Sequence, residues 1–322
     1  MRRHLTVLVL AASATAASGA GLTAHWIVSA EPDAKKGVQA GATEPIGDGR
    51  AAGRAGGAGR AGGAEGDGRA GGAGPGAAVP RRPLDTARLR QSVRGYLATR
   101  PGKAGVMATD LRTGRTFGDN EGGRFVTASI MKVDILTGLL LQRQKGGRGL
   151  SADERDLAGQ MIRESDNSAA DSLYAKSGHG SGIGRTNRTL GLRQTTPFSP
   201  SWGSSLTSPS DQVRLLGALV SPTSPLGVSG RQYVLSLMGS VLREQSWGIS
   251  AAARPGERVA LKNGWTPVHH QGHGWTVNSV GRITGPGHDF LVAVCSGSSP
   301  TMKSGVDTVE HVADLVVSAM RQ

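Results

Sequence analysis

The chain has 322 residues, enough for one large domain or two small ones, and its 50 glycines are unevenly spread. A formal charge of +13 raises nucleic acid as a partner, but the basic residues are scattered and no zinc-knuckle or RNP pattern accompanies them. The expectation is a solvated basic surface, with anionic cell-wall polymers rather than nucleic acid as its counterpart. The one cysteine, Cys295 in FLVAVCSG, excludes an intramolecular disulfide and an N-terminal lipobox, and its apolar setting reads as a buried small hydrophobe.

Residues 1–30 place two arginines before an apolar, Ala-rich run with small-x-small sequences at Ser18-Gly19-Ala20 and Val28-Ser29-Ala30. This is the grammar of an export signal peptide. The run from Leu5 to Ala30 is also long enough to stay as a membrane anchor, and both readings stand. Residues 31–83 are mostly Gly, Ala and Arg, with RAGGAG at 54–59 and again at 69–74. Such a tract buries too little apolar surface to offset chain entropy, so it reads as a disordered linker. The folded domain is then 84–322, expected as a monomer outside the cell or in its envelope.

Within that domain, Leu89, Val93 and Leu97 predict a helix over 85–100, capped by Asp85 or Thr86 and stopped by Pro101. Residues 104–120 read as two short strands about the turn Arg112-Thr113-Gly114. A strongly apolar helix follows over 129–144, and another over 151–164, where Ser151 and Glu154 form a capping box. Further helices fit 168–176, 181–190, 210–221 and 229–244. The end of the chain changes period: strands at 257–265, 274–283 and 288–297, then an amphipathic helix at 304–320. Two strands in front and three behind imply one sheet built from both ends, with a helical lobe inserted between them.

Ser129-Ile130-Met131-Lys132 sets a hydroxyl three residues before an amine at a helix start. That spacing brings the two onto one face, where a lysine of lowered pKa can take the serine proton and free backbone N–H groups can hold an oxyanion. Two polar residues that merely open a helix would look the same. Ser165-Asp166-Asn167 lies between two helices and offers a proton-relaying hydroxyl and an amide, or simply a helix cap. Lys262-Asn263-Gly264 sits in an apolar strand, presenting charge to a cleft or to solvent.

In this order the three motifs match S-x-x-K, S-D-N and K-T-G, and residues 84–322 resemble the class A β-lactamases and D,D-peptidases, the penicillin-recognising serine enzymes. SDNSAADSLY, NSVGRI and DFLVAVCSGSSP carry the likeness further. The resemblance implies an α/β (α+β) fold, with a five-stranded antiparallel sheet flanked by helices and an all-helical lobe. It also implies roles. Ser129 would be acylated, Lys132 would be its base, and Ser165 would pass a proton to the leaving nitrogen. Asn167, Lys262, Asn263, Gly264 and Trp265 would bind substrate, with the N–H groups of Ser129 and Trp265 as the oxyanion hole. The substrate would be a β-lactam or a D-Ala-D-Ala peptide, without cofactor or metal.

Two departures stand out. Asn263 replaces the usual hydroxyl residue, which implies altered carboxylate recognition. TPFSPSWGSSLTSPS (196–210) has no acid where class A enzymes place the glutamate that activates the deacylating water. Asp171, inside a helix, and Asp211, in a helix's first turn, lie elsewhere in the sequence. Slow release of the acyl group is the consequence, and a non-catalytic binder of β-lactam or muropeptide is an alternative. His269, His270 and His273 read as a polar hairpin tip rather than a metal site, since no Cys or Glu falls nearby.

Overall fold

The computed structural model describes residues 83–199, 201–268 and 274–322. The expected leader, the linker up to residue 82 and the three clustered histidines lie outside the described residues.

Five strands form one antiparallel sheet: β1 (Lys103–Asp110), β2 (Thr116–Asp119), β5 (Arg258–Pro267), β6 (Trp275–Gly285) and β7 (His288–Ser299), in the order β2-β1-β7-β6-β5. β7 explains its own sequence. It lies at the centre with helices over both faces, so FLVAVC is continuously apolar instead of alternating. Phe290, Val292 and Val294 pack with α1 (Thr86–Ala98) and α8 (Met302–Met320); Leu291, Ala293 and Cys295 join the core on the other side. Along α8, Val309, Val312, Val316 and Val317 are fully buried, each worth about 1.5–3 kcal/mol of transfer free energy.

The second face carries α6 (Pro209–Val220) against β1, β6 and β7, and α7 (Val228–Met238) against β5; α2 (Met131–Lys145) packs among α7 and the lobe helices α4 (Asn167–Lys176) and α5 (His179–Leu190), with α3 (Ala152–Gly159) beside α4. Every residue of α2 from Met131 to Leu139 is buried, because other helices, α4, α5 and α7, surround this one. Among the described residues no helix is long and apolar enough to cross a membrane.

The structure departs from the periodic reading at four places. Ser129 sits in a 3-10 turn (Ala128–Ile130), and α2 begins only at Met131. The expected 151–164 helix breaks after Gly159 into a π turn, Gln160–Glu164, that ends at Ser165. The helix expected over 229–244 stops at Met238, ahead of Gly239. A two-stranded ladder, β3 (Phe125–Val126) with β4 (Leu206–Thr207), was not legible in so short a pair of segments; it fastens the 196–207 loop beside Ser129.

Candidate active site

The turn that carries Ser129 is forced. Ala128 takes φ 45°, a left-handed conformation that costs an L-residue roughly 1–2 kcal/mol. Its surroundings hold it there: Thr127 N–H donates to Ser205 O at 2.8 Å, and the Asn278 amide donates to Val126 O at 2.9 Å and Thr127 O at 3.0 Å. Ser129 itself stays partly exposed. β5, an edge strand, runs past this turn. A methyl added at Gly264 would stand 2.7 Å from the Ser129 and Ile130 nitrogens and 2.8 Å from Thr127 O, so only glycine admits this close approach.

Lys132 follows one turn later, fully buried. Its Nζ donates to Ser165 O at 2.6 Å, to Asn167 Oδ1 at 2.8 Å and to Ser165 Oγ at 3.2 Å. All three acceptors are neutral. Burial therefore outweighs the pull of Asp166 and Asp171, and the amine falls from the ordinary lysine value to about 7. Lys262, also buried, reaches the same Ser165 Oγ at 2.9 Å and Asn263 O at 3.0 Å. Burial first, and Lys132 second, push it well below its ordinary value. Ser165 holds this position in a left-handed conformation (φ 62°) at the end of the π turn, its carbonyl and hydroxyl both turned to the lysines. Asn167 opens α4 behind the cap Asp166, which accepts Ala169 N–H at 2.6 Å. Its amide oxygen serves Lys132, and the exposed NH2 end carries no hydrogen bond within the protein among the described residues.

Thus one hydroxyl joins two buried amines from opposite lobes, while Gly264, two residues beyond Lys262, adjoins the Ser129 backbone. The Asn263 amide hydrogens are engaged within the protein. Side chains alternate along a strand, and where Lys262 and Gly264 face the serine, Asn263 turns away and gives both its N–H bonds to Gln245 O and Trp247 O, each at 2.9 Å. Trp265 shares that far side, its ring edge-on to Trp247 at 5.7 Å. Only its backbone remains available to the cleft.

Asp211 belongs to the frame. Its buried carboxylate accepts the Gln194 and Arg193 N–H groups, the Thr195 hydroxyl and the Arg214 guanidinium. Asp134, in the first turn of α2, is buried near it. Burial and the Asp211 charge raise Asp134 to about 8 despite a hydrogen bond from Asn187, so it is protonated at neutral pH.

Trp202 went unmarked in the sequence. Its ring centroid lies 4.9 Å from Lys132 Nζ, and its indole N–H donates to Asp171 at 2.7 Å. A tryptophan, with Phe198 the other aromatic in a Ser-, Pro- and Gly-rich loop, was the available signal.

A lobed fold with a strained serine turn and two amines about one hydroxyl describes a serine hydrolase of the penicillin-recognising kind. The chain belongs to the beta-lactamase enzyme family, whose pattern it matches over residues 88–155 and 144–320. "Putative lipoprotein LppW" of Mycobacterium tuberculosis is 25% identical over 196 residues, 59% of this chain and 61% of that one, so the match spans less than two thirds of the relative's length. Among solved structures, a leucine-to-glutamate mutant of PBP-A, captured as an acyl-enzyme with penicillin G, superposes with TM-score 0.65 at 20% identity, covering 76% of this chain and 99% of that one. The class A beta-lactamase of Mycobacterium abscessus gives 0.62 at 22% identity, covering 73% and 100%. These two likenesses establish the fold.

Proposed function

We propose that this chain is an exported serine hydrolase that β-lactam amides acylate at Ser129 and that releases the acyl group slowly. The observation that carries this reading is the Ser165 hydroxyl held at 3.2 and 2.9 Å by two buried amines beside the Ser129 turn. An amine that titrates at about 7 is half neutral at working pH and can accept the serine proton. Ser129 Oγ attacks the lactam carbonyl and gives its proton to Lys132. The oxyanion sits on backbone N–H groups where Gly264 lets the strand approach, and Ser165 hands a proton to the departing nitrogen as the C–N bond breaks. Lys262 draws the substrate carboxylate toward that hydroxyl.

The product is an ester on Ser129. Its hydrolysis needs a base for water, and the 196–210 loop carries no carboxylate. Loss of such a base commonly costs ~10²–10⁴-fold, which supports slow release. The same chemistry acting on D-Ala-D-Ala peptides is the second reading, favoured by that missing acid. The leader pattern, together with a relative called a lipoprotein, supports a place in the cell envelope.

A fluorescent penicillin should label the full chain once, at Ser129, and Ser129→Ala should abolish the label. Turnover of a chromogenic cephalosporin then marks a β-lactamase, and D-alanine release from a pentapeptide marks a peptidase. No label at any pH from 6 to 9 defeats the acylation proposal and leaves a non-catalytic binder.

A further inference from the structure

We propose that Trp202, latched by Asp171, roofs the Lys132 amine and keeps water from lodging beside it, so that this indole sets the lifetime of the acyl-enzyme. The inference rests on the acylation reading above and extends it to the hydrolytic step.

The loop is braced from two sides. On one side it lies against the nucleophile turn: Thr127 N–H donates to Ser205 O at 2.8 Å, and the Thr127 hydroxyl is shared between Trp202 O and Gly203 O, both at 3.4 Å. On the other side it meets α4, where Asp171 and Tyr174 are three residues apart and share a face. Asp171 accepts the indole N–H at 2.7 Å, and the Tyr174 hydroxyl donates to Phe198 O at 3.0 Å. Ser205, fully buried, closes the brace by accepting Phe198 N–H at 2.9 Å.

What this frame presents to the site is the indole. Its centroid stands 4.9 Å from Lys132 Nζ, whose hydrogen bonds are all to Ser165 and Asn167. The ring covers a side of the amine that those acceptors leave open. Hydrolysis of the ester requires a water at the acyl carbonyl and a group to take its proton; an aromatic cover over the amine denies water a place beside that group. The loop that lacks a base therefore supplies a shield. Trp202 transfers no proton and bonds no reacting atom; it acts through Lys132, so it is a positioning residue.

The test separates the two steps of the reaction in the full chain. Trp202→Ala should shorten the penicilloyl-enzyme lifetime by roughly tenfold or more while acylation, if it changes, slows because a better-solvated Lys132 holds its proton; faster release beside slower acylation is a split that general loosening of the fold would not produce. Trp202→Phe, which keeps a ring over the amine, should stay within about threefold of the wild type, and Asp171→Ala, which frees the indole, should fall between. A second measurement needs no β-lactam: acetylation of Lys132 by dilute acetic anhydride, read by peptide mass spectrometry, should quicken roughly tenfold in Trp202→Ala. If the protein takes no penicillin label, the acylation reading fails and the acetylation rates alone decide the roof. An unchanged lifetime with unchanged Lys132 reactivity overturns the proposal. So does an Asp171→Ala adduct that outlives the wild type, because Asp171 would then be acting on the water.

Discussion

Helix α2 carries a cation near each end, Lys132 fully buried and Arg143 half-buried, and the two are treated oppositely. Near its C-terminus Arg143 meets Glu154 at 2.5 Å, and that guanidinium holds the Glu154 carboxyl at about 2, below the usual range. A cation at this end also lies where the helix dipole favours it. At the N-terminus the dipole opposes a cation, and Lys132 finds only neutral oxygens. The paired end is ordinary structural electrostatics. The unpaired end gives up stability to keep an amine close to neutral, a trade found where a side chain must react.

Removing Lys132 tests that contrast most severely. Lys132→Met should cut acylation by about 10³-fold. In the wild type acylation should climb as pH rises through about 7, where the amine loses its proton, and level off above it; in Lys132→Met the profile should be flat. The same variant should unfold at higher temperature. Below pH 7 the native protein buries a charged amine, whereas above about 10.5 the lysine is neutral in both states, so the thermal gain should be largest below pH 7 and fade between 7 and 10.5. A variant that loses stability at pH 6 would show the site is not strained in this way. Next in size, Gly264→Ala sets a methyl against fixed backbone nitrogens rather than a movable side chain. Acylation should drop by about 10²-fold through displacement of the oxyanion donors, seen as slower labelling with Ser129, Lys132 and Lys262 all present.

The contrast also bears on what could be read beforehand. The sheet built from both chain ends, the lobe and the three motifs were visible because period and local spacing encode them. The left-handed Ala128, the π turn that aims Ser165 and the β3–β4 ladder were not, since each is imposed by partners distant in sequence: Asn278 for the turn, Leu206 and Thr207 for the ladder. Asn263 is a different case. Strand alternation sets it on the face opposite Lys262 and Gly264, whereas the family resemblance implies a substrate contact at this position. Trp202 acts through α4 and Lys132, neither its neighbour in sequence.

A smaller effect comes from Asp134, which shares the first turn of α2 with Lys132 and is strained in the opposite sense. Its folded value near 8, against 3.8, means the native state holds a proton that the unfolded chain has already lost. Its contribution to stability is complete below 3.8 and disappears as pH rises through 8. Asp134→Asn, neutral at every pH, should match the wild type near pH 4 and melt at a higher temperature than the wild type above pH 8, the gap opening between 3.8 and 8.

The paired end of α2 should matter least to the chemistry. Glu154→Gln keeps the shape and the Ser151 capping contact but removes the charge facing Arg143. Because the carboxyl titrates at about 2 when folded and near 4.5 when not, it stabilises the native state fully above 4.5, and that support is lost as pH falls through 2. The variant should therefore be weaker by on the order of 2 kcal/mol at pH 7 and converge on the wild type near pH 2 in denaturant titrations. Labelling of Ser129 should stay within about twofold, since ~10 residues of helix separate the two cations and each rests on its own partners. A fall in labelling as large as that of Lys132→Met would mean the two ends are coupled along α2 and would end the comparison.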